Sequence, residues 1–164
     1  MVKTDRAAFT LTLALTLAWS VALLGGCSTY EAPRFQVVAV QETERSAQAS
    51  VLTFTITANN RNDVDLPLRE TRYQLELDGV SVFQGERSPQ ATVRAFGTQS
   101  FRLPVTVSAE DFDLSRLDSG GDLPYRLDGS VSYQTPGELA EVLFDAGFRR
   151  PKARLMLRGR ISLD

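Results

Sequence analysis

The chain has no histidine and a single cysteine in 164 residues. Histidine is the commonest general base and metal ligand near neutral pH, so its absence removes Ser-His-Asp and Cys-His catalysis and the usual histidine zinc sites. One cysteine cannot close an internal disulfide. Charge of either sign is in small excess only, with a formal net of −2. A weakly acidic chain lacks the broad basic surface that nucleic-acid phosphates require, and no nucleic-acid partner is expected.

What is present begins at the N-terminus. Lys3 and Arg6 precede an apolar run from Ala7 to Leu24, the charged and apolar parts of a secretory signal. The run ends in Leu24-Gly25-Gly26-Cys27. Two small residues fit a peptidase cleft, and the thiol just beyond them can be acylated. This stretch resembles the lipobox of bacterial lipoproteins. That resemblance implies cleavage before Cys27, lipid on Cys27, and a tether at residues 27–33. No aspartate follows Cys27. In an envelope of Gram-negative type that implies sorting to the outer membrane, with the domain facing the periplasm. Three other readings of the same residues are an ordinary secretory signal, an uncleaved membrane-spanning helix and a buried core helix. Lipid on one residue would anchor the protein without passing it through the bilayer.

Removing residues 1–26 from the 164 leaves 138, a length suited to one domain. That segment holds Lys3, Arg6 and Asp5, so the remainder carries −3. A chain of this size buries roughly two-thirds of its unfolded surface, enough for a core without covalent staples.

From residue 34 onward the pattern is that of strands. Phe35, Val37 and Ala39 share one face, and the polar stretch Gln41–Ser50 reads as a loop. Leu52, Phe54, Ile56 and Ala58 alternate with Val51, Thr53, Thr55 and Thr57, a period of two. Asn59–Asp63 forms a turn. Leu66 and Leu68 follow, then Tyr73, Leu75 and Leu77 alternate with Arg72, Gln74 and Glu76. Asp78-Gly79 is a two-residue hairpin signal leading to a return strand from Val80 to Phe83, with Gly85 at a bulge or the strand's end. Val80, Val82 and Phe83 make either an exposed apolar tip or a packed edge. Phe101, Leu103, Val105 and Val107 form a strand in which Pro104, lacking an N–H, belongs on a sheet edge. Ser108–Asp111 resembles a capping box opening a helical turn with Phe112 and Leu117, and Asp118–Asp122 is a loop. Tyr125, Leu127, Gly129, Val131 and Tyr133 share a parity that makes the two tyrosines core residues. Thr135, Pro136 and Glu138 predict a second helix start, with Leu139, Val142, Leu143 and Ala146 at helical spacing and a stop at Gly147. A last strand alternates Ala153, Leu155, Leu157, Gly159 and Ile161 with Arg154, Met156, Arg158 and Arg160. About seven strands and one or two short helices predict a mostly β fold, a sandwich.

Several of these pieces, in order, resemble the group 2 late embryogenesis abundant family, also called the water stress and hypersensitive response domain. A threonine-rich strand ends at Asn60-Arg61-Asn62, where the family has Asn-Pro-Asn. Leu66 and Leu68 follow, then Tyr73-Gln-Leu-Glu-Leu-Asp-Gly79, Val82 and Gly85. Val93-Arg-Ala-Phe-Gly97, Phe101-Arg-Leu-Pro-Val-Thr-Val107 and Pro124-Tyr-Arg-Leu-Asp-Gly129 complete the set. The resemblance spans residues 33–133, with Arg61 in place of proline as its clearest departure. It implies an immunoglobulin-like or fibronectin III-like sandwich over residues 34–164 and a non-enzymatic, stress- or desiccation-related role. It carries over no catalytic residue and no cofactor. Asn60, Asn62, Gly79 and Pro104 take structural parts in it.

Two charged clusters remain. Glu110, Asp111 and Asp113 are close enough in sequence for calcium or for a hydrolytic carboxylate pair, but they lack the full calcium-loop spacing. Acids in a first helical turn already answer the helix dipole. The C-terminal end is basic through Arg149, Arg150, Lys152, Arg154, Arg158 and Arg160. Alternation places Arg154, Arg158 and Arg160 on one outward strip, suited to anionic headgroups or an acidic envelope partner, or simply to a solvated strand face.

Overall fold

The structure, a computed structural model, describes residues 30–118 and 122–163. Cys27, the segment before it and the middle of the Asp118–Asp122 loop lie outside them. Residues Glu31–Asp164 form one compact unit.

Among the described residues eight strands run β1 (Arg34–Arg45), β2 (Ala49–Asn59), β3 (Leu66–Leu77), β4 (Val80–Arg87), β5 (Ala91–Val93), β6 (Thr98–Ser108), β7 (Leu123–Tyr133) and β8 (Lys152–Ile161). Two short helices, α1 (Ser115–Asp118) and α2 (Glu138–Asp145), flank β7. The strands pair antiparallel in a three-stranded sheet, β1-β2-β6, and a five-stranded sheet, β4-β3-β7-β8 with β5 on the start of β3. Inward faces of both sheets form one core. Leu52, Phe54 and Ile56 of β2 and Leu103, Val105 and Val107 of β6 share it with Leu75, Leu77, Leu127 and Leu155. Phe54 meets Tyr125 edge-on between the sheets, with centroids 5.3 Å apart.

The loop expected at Gln41–Ser50 is mostly strand. Gln41–Arg45 continues β1, and only Ser46–Gln48 turns, closed by Ser46 N–H to Ala49 O at 2.8 Å. The polar residues there belong to a two-faced edge strand: Glu42 accepts from Ser50 Oγ at 2.6 Å and from Arg45 at 2.9 Å. A bulge at Val38 shifts the parity, so Val40 packs on the core after Phe35 and Val37, in place of the expected Ala39.

Leu66–Leu77 is one continuous strand. Its inward face passes from even to odd positions, from Leu66 and Leu68 to Thr71, Tyr73, Leu75 and Leu77. The pairing with β7 explains this, because an extra residue is accommodated between Leu68 and Thr71. Ser132 Oγ satisfies the freed backbone, accepting from Glu70 N–H at 2.9 Å and donating to Glu70 O at 3.1 Å.

The turns follow their residues. Asp78 (φ 47) and Gly79 (φ 81) both take positive φ, the type I′ hairpin geometry. Past Val80, which is exposed, Val82 and Phe83 pack, and β4 runs through Gly85 to Arg87. Pro104 lies on β6, which pairs only with β2 and is an edge. Asn60 is 1 % exposed and offers its amide hydrogens to the carbonyls of Val64, Val93 and Arg94, at 2.7, 3.1 and 3.1 Å.

The helix starts differ from expectation. Ser108 closes a turn, and Asp113 caps α1 by accepting from Ser115 N–H at 3.0 Å and Ser115 Oγ at 2.7 Å. Helix α2 begins at Glu138, because Gly137 at φ 113 cannot be helical and separates Thr135-Pro136 from it.

Candidate functional site: a basic edge and its cleft

Strand β8 ends the five-stranded sheet, and its alternation is clean. Ala153, Leu155 and Ile161 are buried, while Lys152, Arg154, Met156, Arg158 and Arg160 are exposed. Pairing with β7 sets Arg154 opposite Ser130, Met156 opposite Asp128 and Arg158 opposite Arg126. Arg126 is drawn to Asp128 and, at 4.0 Å, to Glu76. Arg160 sits 3.5 Å from Asp122. Arg154 and Arg158 have no ion-pair partner among the described residues. Exposed unpaired cations along an edge repel a second strand and attract anions.

At the Lys152 end this strip enters a cleft of about 540 Å³. Residues from β3, β4, β7, β8, α2 and the loop after α2 line it, including Arg69, Arg72, Arg87, Arg150 and Lys152 against Glu70 and Glu86. The β3 bulge turns both Arg69 and Glu70 outward into it. Gln134 Oε1 accepts two hydrogen bonds from the Arg69 guanidinium. Arg72 bridges Glu70 at 2.8 Å and Glu86 at 3.0 Å. Arg150 lies over the Phe144 ring, 5.5 Å from its centroid, and donates to Phe144 O at 3.0 Å. The Arg87 and Lys152 side chains have no hydrogen-bond or ion-pair partner among the described residues. Both cleft carboxylates share one guanidinium, so no carboxylate of the cleft pairs with the other four cations. The arrangement suits an anionic group. It does not resemble a glycosidase pair, where an acid and a base flank a bond with space between them.

Beside the cleft, the outer face of the same sheet has a shallow polar groove lined by Arg72, Gln74, Gln84, Asp128 and Ser130. Asp128 Oδ1 is buried there without a hydrogen-bond partner. Gly129 forms part of the wall; a Cβ on it would lie 2.1 Å from Arg72 O.

The other expected site residues take structural parts. Glu110, Asp111 and Asp113 are exposed, and no group of three metal-ligating side chains converges among the described residues. The Ser115 hydrogen bonds hold the Asp113 carboxyl below the ordinary carboxylate range. Tyr125 and Tyr133 are core residues whose phenols are raised by burial. Residues Arg69, Arg87 and Phe144 complete the cleft but were not legible as site residues. The only local signal was the parity change in β3, and its meaning needs the β7 register.

The model of the late embryogenesis abundant protein family matches residues 55–144. The fold is similar to the solution structure of a protein from Arabidopsis thaliana, at 16 % identity and TM-score 0.64, covering 85 % of this chain and 87 % of that one. It is also similar to the solution structure of a late embryogenesis abundant protein, at 16 % identity and TM-score 0.59, covering 96 % of this chain and 84 % of that one. A crystal structure from Archaeoglobus fulgidus aligns at 10 % identity and TM-score 0.50, over 83 % of this chain and 98 % of that one. At such identities the likeness is one of fold. No curated protein sequence matches the chain.

Proposed function

Because the chain belongs to the late embryogenesis abundant protein family, we propose that it is a stress-response domain of the cell envelope, held to a membrane by lipid on Cys27. The family match over residues 55–144 carries this reading, since it suggests a stress-related domain and its members are generally non-enzymatic. The missing histidine agrees with it on inventory. The anchor rests on Leu24-Gly25-Gly26-Cys27, and the outer membrane on the absence of aspartate after Cys27. We read the sandwich as immunoglobulin-like or fibronectin III-like. In support, the first, second and sixth strands share one sheet, and the third, seventh and eighth share the other.

A deletion strain dried and rehydrated should survive less well than its parent, and the wild-type gene should restore survival. Cys27→Ser should accumulate unprocessed and fail to restore it. Equal survival of deletion and parent would count against the stress role. Normal processing of Cys27→Ser would remove the lipid anchor alone.

A second reading has one observation behind it: Arg154 and Arg158 are exposed on a sheet edge without ion-pair partners among the described residues. On this reading the protein is a binding module that docks an acidic envelope protein through Arg154, Arg158 and Arg160. In-cell cross-linking should then give one dominant partner, lost when Arg158 and Arg160 are reversed to glutamate. Unchanged cross-linking in that variant would exclude the strip.

A further inference from the structure

A surface helix ordinarily turns its apolar stripe toward the core. Helix α2 does not. Leu139, Val142, Leu143 and Ala146 stand at i, i+3, i+4 and i+7, and while Leu143 is half-buried, Leu139 is 71 % and Val142 62 % exposed. Phe148, just beyond Gly147, is 84 % exposed. The buried residue of the helix is Phe144, on another side, lying against Arg150 at the wall of the cleft. The acids Glu138, Glu141 and Asp145 fall at i, i+3 and i+7 on a third side. Helix α2 is therefore preformed, anchored by Phe144 with Leu143 half-buried, and the fold leaves Leu139 and Val142 of its apolar stripe uncovered.

We infer that this stripe is a membrane-docking surface for anionic lipid. Leu139, Val142 and Phe148 enter the acyl boundary, and the cations beside them meet headgroup phosphates. Four observations support it together. The apolar side chains are contiguous along a peripheral helix and the turn after it. Arg149, Arg150 and Lys152 follow that turn directly in the chain. Phe144 joins the helix to a cleft holding Arg69, Arg87, Arg150 and Lys152, in which the only two carboxylates share Arg72. Arg87, Arg149 and Lys152 have no ion-pair partner among the described residues. Exposed large apolar groups beside free cations form the amphipathic combination that binds anionic bilayers, and apolar insertion and charge attraction add. An acidic protein would match the cations but leave Phe148 in water.

The surface is independent of what holds the chain to the membrane. Full-length protein carrying Trp19→Phe and Phe148→Trp would be reconstituted into vesicles of phosphatidylcholine, with or without phosphatidylglycerol. Lipids with brominated acyl chains quench an indole that reaches the acyl region. A second protein, with Trp19→Phe and Val38→Trp, reports the general proximity of the domain, because Val38 is exposed on β1. We expect the indole at position 148 to be quenched severalfold more than the one at position 38, and only in anionic vesicles. Arg87→Glu with Lys152→Glu should bring the two to the same level. Cys27→Ser should leave the quenching unchanged, so failure of the lipid anchor and failure of this surface remain separate results. Equal quenching in neutral vesicles, or none in either, would overturn the inference. So would a blue shift that depends on protein concentration without quenching, since a second copy would then cover the stripe.

Discussion

The Tyr73 hydroxyl donates a 2.6 Å hydrogen bond to the carbonyl oxygen of Pro104, joining an inner strand of one sheet to the edge strand of the other. Burial raises the phenol's pKa, with the nearby Arg87 charge acting in the opposite direction. Tyr73→Phe keeps the ring and its 5.4 Å contact with Phe83 but removes the only donor to that carbonyl from the opposite sheet. We expect a loss of about 1 kcal/mol in urea unfolding. The alkaline side gives a second readout. A raised folded pKa contributes stability that is full below the ordinary tyrosine value and is lost as pH rises through the folded value. The difference between wild type and Tyr73→Phe should therefore shrink above about pH 10.

Asn60 organises the turn end of the three-stranded sheet. Besides its three carbonyl partners, its Oδ1 accepts from Asn62 N–H at 3.0 Å and from Asn62 Nδ2 at 2.8 Å. Asn62 in turn pairs both ways with the Glu31 backbone, at 2.8 and 2.9 Å. Asn60→Ala strands several buried backbone acceptors at once and should cost about 3 kcal/mol in thermal or urea unfolding. Asn62→Ala breaks the more exposed half of the network and should cost less, about 1 kcal/mol. Equal losses would show that the buried carbonyls are satisfied in some other way.

Gly129 is required by close approach. It lies opposite Tyr73 in the β3-β7 pairing, and a Cβ would meet Arg72 O at 2.1 Å and Tyr73 Cα at 2.9 Å. Backbone atoms cannot move aside as a side chain would, so Gly129→Ala should destabilise by about 2–3 kcal/mol. Gly85→Ala is the comparison. Its Cβ would meet only the far end of the Phe83 ring, at 2.5 Å, and that ring can rotate away. Calorimetry should rank Gly129→Ala well below Gly85→Ala.

Acid stability should depend on Glu42. Burial raises its pKa, but hydrogen bonds from Ser50 and Arg45 and the Arg45 charge outweigh that and hold the carboxyl below the ordinary range. A depressed folded pKa means the contribution is complete above the ordinary carboxylate value and disappears as pH falls through the folded value. Wild type should therefore be more stable than Glu42→Gln near neutrality, with the two converging as pH falls through the carboxylate range. A constant gap across that range would show that the contribution is not tied to the charge.

Much of the sandwich was legible one strand at a time, because side-chain direction in a strand follows period two whatever its partner. Hence the faces of Leu52–Ala58, Phe101–Val107 and Tyr125–Tyr133, the Asp78-Gly79 turn and the edge position of Pro104 could all be read from residue types and spacing. The absence of histidine and of a second cysteine likewise settled which chemistries lack their components. Bulges were not legible. One inserted residue at Val38, or at Arg69 and Glu70, changes the face of everything after it, and only the partner strand reveals it. Strand β5 was too short to show a period. The polar Gln41–Arg45 was strand because Glu42 and Arg45 are satisfied by each other, by Ser50 of β2 and by the Leu114 carbonyl just before α1. The cleft is the clearest case. Arg69, Arg87 and the Arg150–Lys152 segment lie far apart in the chain, and only the register of β3, β4, β7 and β8 brings them together. The apolar stripe of α2 was visible as helical spacing. That Leu139 and Val142 face water was decided by the tertiary structure, in which Phe144 is the buried anchor of the helix and both sheets have already filled the core.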